Sequence, residues 1–197
     1  MKTVVYADRE IIRLRTLYYG LAEQFDLETD TVTICGIATS FVYREMFDGQ
    51  VHMLLPDSFY PLRENEVQLR YLSEDRPQLL LAGESLSENI GFSLISRNGQ
   101  DLQETIKTMR EAILRNFPES VIYESGKINA RELEGYWFEY KSFTIDEEAY
   151  NLQFLFGSEQ LMLLGVFNCG MRYFDEWKLF IQKALDYTEL HDGRETI

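Results

Sequence analysis

The stretch SVIYESGKINARELEGYWFEYKSFTIDEEAYNLQFLFGSEQLMLLGVF, residues 120–167, decides the fold of this chain. It contains four runs rich in β-branched and aromatic residues: SVIYES, INARELEGYWFEYKSFT, AYNLQFLF and QLMLLGVF. Turn chemistry separates them at Gly126, at Asp146 to Glu148 and at Gly157-Ser158, so the runs predict an antiparallel meander. Alternation at period two places Tyr136, Phe138 and Tyr140 on one face of the second run and Leu133, Trp137 and Phe143 on the other. Neither face is polar, and a sheet with two apolar faces must be covered on both.

Two segments supply the cover. Asp101 and Glu104 form a capping box ahead of Leu102, Ile106, Met109, Ile113 and Phe117, which recur at helical spacing. From Arg172 to Thr188, the residues Trp177, Ile181, Ala184 and Leu185 repeat in the same way, with an end near Asp192-Gly193. Upstream, TVTICGIATSFVYREMF and QVHMLLP flank Asp48-Gly49, a hairpin signal because both central residues of a type I′ turn need positive φ. Pro56 stops the second of these strands, Arg63 to Leu72 can hold a short helix before Pro77, and QLLLAG and IGFSLISR read as two more strands. The expected class is α+β: an antiparallel sheet of five to seven strands sandwiched between helices. Residues 1–40 read as an N-terminal extension packed on the domain, 41–190 as the sandwich, and 191–197 as a C-terminal tail.

Composition narrows the function classes. The chain has 197 residues, and at this size about 70% of the unfolded surface can be buried, so the core needs neither disulfide nor metal staples. Hydrophobic residues at 45%, with only 4 Pro and 12 Gly, argue against disorder and low-complexity linkers. Lys and Arg total 19 against 33 Asp and Glu, a formal charge of -14 that repels phosphate backbones and anionic lipid surfaces. Nucleic acid is therefore a poor partner. No window approaches the length of an uncharged membrane span, and MKTVVYADREII lacks the apolar core of a signal peptide. A reducing, cytoplasmic setting is expected. Cys35 and Cys169 belong to no C-x-x-C pair and read as small buried residues, with a long-range disulfide or a nucleophile as the lesser readings.

Catalytic chemistry is sparse. Only His52 and His191 occur: the first reads as a partly buried strand residue, the second as a cation at a helix C-terminus, and a histidine-built metal site is not expected. Asp26, Glu28 and Asp30 resemble the start of a calcium loop, but Thr31 and Ile37 stand where Gly and Glu are required, which leaves an acidic connector. Asp146, Glu147 and Glu148 read as a polar turn. Gly83 to Ser87 approaches the G-x-S-x-G elbow without its last glycine and without a following helix, so it reads as a hairpin loop. No phosphate-cradling glycine motif is present. The many aromatics fall at strand period and read as core before they read as stacking platforms. No catalytic, cofactor or metal residue is assigned, and partner-binding residues stay unassigned.

The order of elements does resemble a known family. A hairpin closing on QVHMLLPDSF, then YLSEDRPQLLLA, IGFSLI, the capped helix, VIYESGKI, ELEGYWFEYKS, another hairpin and a helix opened by EWKLF resembles the PsbP-like superfamily. That fold is shared with the Mog-type Ran-binding factor, DcrB and EagR-type proteins. The signals are Leu55-Pro56, Pro77, Gly135-Tyr136 and Trp177, over residues 41 to 188. The resemblance implies a helix-covered antiparallel sheet and a non-enzymatic protein-binding or adaptor role, with a protein partner and a monomer or weak homodimer. Its alternatives are an EagR-like chaperone for a secreted or membrane-active protein, or a hydrolase built on carboxylates such as Glu132, Glu134 or Glu139.

The first 40 residues fall outside the resemblance. Asp8 opens a helical pattern of Ile11, Leu14, Tyr18 and Leu21, although Val4, Val5, Tyr18 and Tyr19 also suit an extended segment. Val32, Ile34 and Ile37 follow at period two. Exposing so many apolar side chains would forfeit on the order of 5 to 10 kcal/mol, so residues 8–37 should pack on the sandwich and add strands beside residues 41–47. Deleting residues 1–38 is expected to lower Tm by several degrees or cause aggregation; unchanged melting and solubility of the truncated chain would show a free arm instead.

Overall fold

The computed structural model describes residues 24–70, 76–84, 87–143 and 147–193. The predicted meander forms the larger part of the main sheet. In chain order the elements are β1 (Val32–Ile34), β2 (Ile37–Thr39), β3 (Phe41–Met46), β4 (Val51–Pro56), β5 (Tyr60–Pro61), α1 (Glu64–Arg70), β6 (Leu79–Ala82) and β7 (Glu88–Ser96). Next come α2 (Leu102–Asn116), β8 (Val121–Ala130), β9 (Leu133–Phe143), β10 (Glu148–Gly157), β11 (Leu161–Gly170), α3 (Phe174–Leu185) and β12 (Glu189–Leu190). Seven strands pair antiparallel in the order β5-β6-β7-β11-β10-β9-β8, and a second sheet runs β12-β4-β3.

The two faces of the large sheet are covered unequally. On one side α2 lies against β9 and β10, where Leu102 meets Leu155 and Met162 with Ile106 and Met109 packed around them. Its cap is as the sequence predicts, since the Glu104 N–H donates to Asp101 Oδ1 at 2.8 Å. The apolar stripe runs off the sheet toward the helix end, and Phe117 is 52% exposed. On the other side α3 and the small sheet bury Leu152, Phe154, Phe156, Leu163 and Phe167. The Trp177 ring sits 5.7 Å from that of Phe59 and 5.6 Å from that of Phe167, joining α3, β11 and the β4–β5 connection. The architecture is the α+β sandwich expected from the sequence.

Three local readings need correction. Gly126 is not a turn: β8 runs through it, and the chain reverses at Arg131-Glu132, between the paired Ala130 and Leu133. The glycine answers a close approach, because a Cβ there would lie 2.8 Å from Nε1 of Trp137. Residues 32–39 do not extend the sheet beside residues 41–47. They pair with each other through a tight turn at Cys35 and Gly36, at φ 52° and 77°, while Leu27, Val32 and Ile34 enter the main core. The expected helix from Asp8 lies outside the described residues apart from its last positions. The helix after Arg172 stops at Leu185, and β12 (Glu189–Leu190) pairs with β4, followed by the His191 N–H donating to the Gln50 carbonyl at 2.8 Å. The Asp48-Gly49 turn does form: both residues have positive φ, and the Gln50 N–H donates to the Phe47 carbonyl at 3.1 Å. Phe47 joins them at φ 54°, so the ladder ends one residue earlier, at Met46 and Val51.

Within the meander Phe154 lies directly opposite Gly165, and a Cβ at Gly165 would sit 2.1 Å from the Phe154 ring. That ring is fully buried and boxed by Phe92 and Phe156, at 6.2 and 6.0 Å between centroids. Gly165→Ala should therefore cost about 1 to 3 kcal/mol and lower Tm by roughly 3 to 10 °C in thermal denaturation, whereas unchanged melting would show that the sheet relaxes around the methyl group.

Candidate functional site

The pleat divides the three carboxylates that the sequence offered for hydrolysis. Glu139 points toward α3 and is 2% exposed, Glu134 points to the opposite face, and Glu132 is exposed in the β8–β9 turn. Lys178 reaches from α3 to Glu139 Oε1 at 2.7 Å and to Glu124 Oε2 at 3.3 Å, and the Tyr150 hydroxyl donates to Glu139 Oε2 at 2.7 Å. Burying such ions is costly unless each is paired and hydrogen-bonded, and here they are. Glu134 pairs with Lys127 at 2.8 Å and accepts from the Tyr136 hydroxyl at 2.9 Å. These bonds, Lys127's first, hold its carboxyl below the usual range, which suits an ion pair and not a general acid.

Glu132 and Glu134 line a polar groove of about 700 Å³ with Arg97, Arg131, His191 and Asp192. Much of its polar lining already serves the fold. Asp192 accepts from the N–H groups of Glu159 and Gln160, each at 3.2 Å, and from the Ser158 hydroxyl, while Arg97 donates to the Ser158 carbonyl at 2.7 Å. The start of the stretch read as a C-terminal tail, residues 191–197, is anchored as far as Asp192.

At one side of this groove the two histidines meet, which the sequence reading did not anticipate. Strand register puts Glu45 opposite His52 and His52 opposite Glu189, a row across the small sheet. His191 follows Glu189 by two residues and shares its face. His52 Nδ1 lies 3.7 Å from Glu189 Oε2, His191 Nε2 lies 3.6 Å from the same oxygen, and the imidazole rings are 5.2 Å apart. Glu45 Oε1 is 3.7 Å from the other nitrogen of His52. Arg131 pairs with Glu189 Oε1 and donates to the Tyr43 hydroxyl at 3.0 Å; Tyr43 in turn donates to Glu28 at 2.6 Å. Burial, and then the bond to Glu28, push the Tyr43 phenol up to about 12. The only local signal for this cluster was the Glu-x-His spacing at residues 189–191, which the sequence reading assigned to a helix end.

The remaining motif candidates resolve as structure. Asp26 and Asp30 cap their own turn, with the Asp26 N–H donating to Asp30 Oδ2 at 2.8 Å and the Glu28 N–H donating to Asp26 Oδ1 at 3.0 Å. In the Gly83 to Ser87 loop, Ser85 and Leu86 lie outside the described residues, and the Ser87 hydroxyl donates to Glu88. Asp146 also lies outside them, and Glu148 pairs with Lys141 at 3.0 Å. Both cysteines are free thiols. Burial, then Glu176, raises Cys35 to about 11, and burial raises Cys169 further, so neither thiol is poised as a nucleophile near neutral pH.

Neither a family model nor a curated protein matches this sequence. Solved structures do match. The solution structure of cyanobacterial PsbP (CyanoP) from Synechocystis sp. PCC 6803 superposes with a TM-score of 0.58 at 8% identity, over 83% of this chain and 99% of that one. LpqN of Mycobacterium tuberculosis, described as involved in cell envelope biogenesis, superposes with a TM-score of 0.53 at 12% identity, over 82% of this chain and 98% of that one. The fold is PsbP-like.

On this PsbP-like frame β8 offers one open edge. Among the described residues β8 ends the large sheet, ten residues long and paired on one side only. Leu114, Phe117, Val121, Tyr123 and Phe143 are exposed along it and beside it. A groove of about 850 Å³ runs between α2 and the β8–β9 pair, with Ile106, Tyr136 and Phe138 among its lining and Arg110 and Lys127 beside them. No helix among the described residues is long and apolar enough to cross a membrane.

The buried ion cluster yields a stability test. Removing the Lys178 ammonium would leave Glu139 buried without its cation, so Lys178→Ala should destabilise the chain by about 3 to 5 kcal/mol in urea unfolding, while replacing Lys178 and Glu139 together with Met and Leu should recover most of that loss. Equal destabilisation by the single and double variants would show that packing, and not charge, holds α3 to β9.

Proposed function

We propose that this chain is a non-enzymatic protein-binding module whose partner lays an extended, apolar segment along β8. The observation that carries the reading is the ten-residue sheet edge with Val121, Tyr123, Phe117 and Phe143 exposed beside it. An unpaired edge offers a row of backbone donors and acceptors, and its flanking side chains choose the partner. The groove between α2 and β8 gives alternate side chains of such a segment a place to dock. Glu139 faces α3, across the sheet from the groove that Glu132 and Glu134 share, and Glu134 is held there as an ion pair with Lys127, which disfavours the hydrolase alternative. The free thiols fit a reducing compartment, in keeping with the cytoplasmic expectation. Cyanobacterial PsbP and the envelope-biogenesis protein LpqN use the same frame, which supports reading it as a scaffold on which surfaces vary.

Affinity capture from native-source lysate with the full chain tests this. Proteins recovered by the wild type should be lost with Val121→Lys and Tyr123→Lys and retained with Ile95→Lys, which alters an exposed apolar residue on β7. Loss with Ile95→Lys alone, or recovery indifferent to the β8 variants, would remove the edge from the account. An apolar helix as occupant, the chaperone alternative, would be revealed by binding that depends on Phe117 and Leu114 but withstands proline substitution in β8.

A further inference from the structure

Both histidines of the chain stand on one face of the small sheet with a carboxylate between them. We propose that His52, Glu189 and His191 form a binding site for a zinc-class divalent metal ion. One ring nitrogen from each of His52 and His191 and a Glu189 oxygen all lie within 4.8 Å of one another. Tetrahedral zinc, bonded at about 2.0 to 2.2 Å, holds its ligand atoms roughly 3.4 Å apart. The present spacings of 3.7 and 3.6 Å from Glu189 Oε2 to the two imidazoles are close to that. The backbone sets these positions: His52 and Glu189 are directly opposed on β4 and β12, and His191 is fixed two residues on by its hydrogen bond to Gln50.

The surroundings resemble the outer shell of a metal site. Metal-binding histidines usually give their second nitrogen to a carboxylate, and Glu45 faces the second nitrogen of His52 at 3.7 Å, an ion-pair distance from which a small shift would bring a hydrogen bond. Arg131 occupies Glu189 Oε1, leaving Oε2 as the oxygen that faces both rings. Two imidazoles and one carboxylate make a donor set suited to zinc and neighbouring transition metals, whereas calcium and magnesium prefer oxygen throughout. Three protein ligands leave the fourth position to water or to a donor from a partner. Such an ion would clamp β12 to β4.

Calorimetric titration of the untagged, chelator-treated full chain with zinc chloride tests the site. The wild type should bind one equivalent, His52→Gln and His191→Gln should each weaken binding at least tenfold with the far-UV spectrum unchanged, and Glu45→Gln should weaken it to a smaller extent. Absence of saturable binding, or equal affinity in the double histidine variant, would overturn the proposal. If the variants fail to fold, cobalt(II) bound to the wild type decides: tetrahedral visible bands without thiolate charge transfer support the site, and a thiolate band would move the metal to the cysteines and refute it.

Discussion

Strands β10 and β11 carry large apolar side chains on both faces, and the architecture follows from the need to cover each. Leu155 and Met162 face one way; Phe154, Phe156, Leu163 and Phe167 face the other. The second side receives α3, the β12-β4-β3 sheet and the residues around Leu27, Val32 and Ile34, and becomes the main core. The first receives α2, of which only Leu102 is fully buried. Unequal cover determines where the molecule is finished and where it is open. The thin layer ends at Leu114 and Phe117, ahead of β8, which is paired on one side only among the described residues, and there apolar side chains are exposed.

The charged groups follow a complementary logic. Those that the sequence offered as chemistry are largely engaged in holding elements together: Glu139 by Lys178 and Tyr150, Glu134 by Lys127, and Glu28 by Tyr43; Asp192 is likewise engaged, by backbone amides of the β10–β11 turn. Arg131 links the large sheet to the small one through Glu189 and Tyr43. Among the described residues, the β8 edge and the histidine row are two surfaces that these pairings leave accessible.

Most of the frame was legible in the sequence because its signals were local. The Asp101–Glu104 cap announced α2, and period-two aromatics announced β9 and β10. The misreadings arose where a residue serves a distant neighbour. Gly126 looked like a turn but accommodates the Trp137 indole, and the true turn at Arg131-Glu132 lacks the usual turn residues. Cys35-Gly36 makes a tight hairpin with a residue that seldom starts one. The meeting of His52 with His191 depends on β12 pairing with β4 across nearly 140 residues of sequence, so the Glu-x-His spacing at 189–191 alone could not place His52 beside it.

If a partner completes the β8 edge, as proposed, the backbone amides of that strand must change on binding. Hydrogen–deuterium exchange of the full chain, alone and then mixed with a captured partner, tests it most directly. The account predicts that amides of residues 121–127 exchange well before those of β10 and β11 in the free chain and gain protection in the complex, with the histidine row unchanged. Protection of β8 in the free chain equal to that of β10, or protection on binding confined to another element, would contradict it.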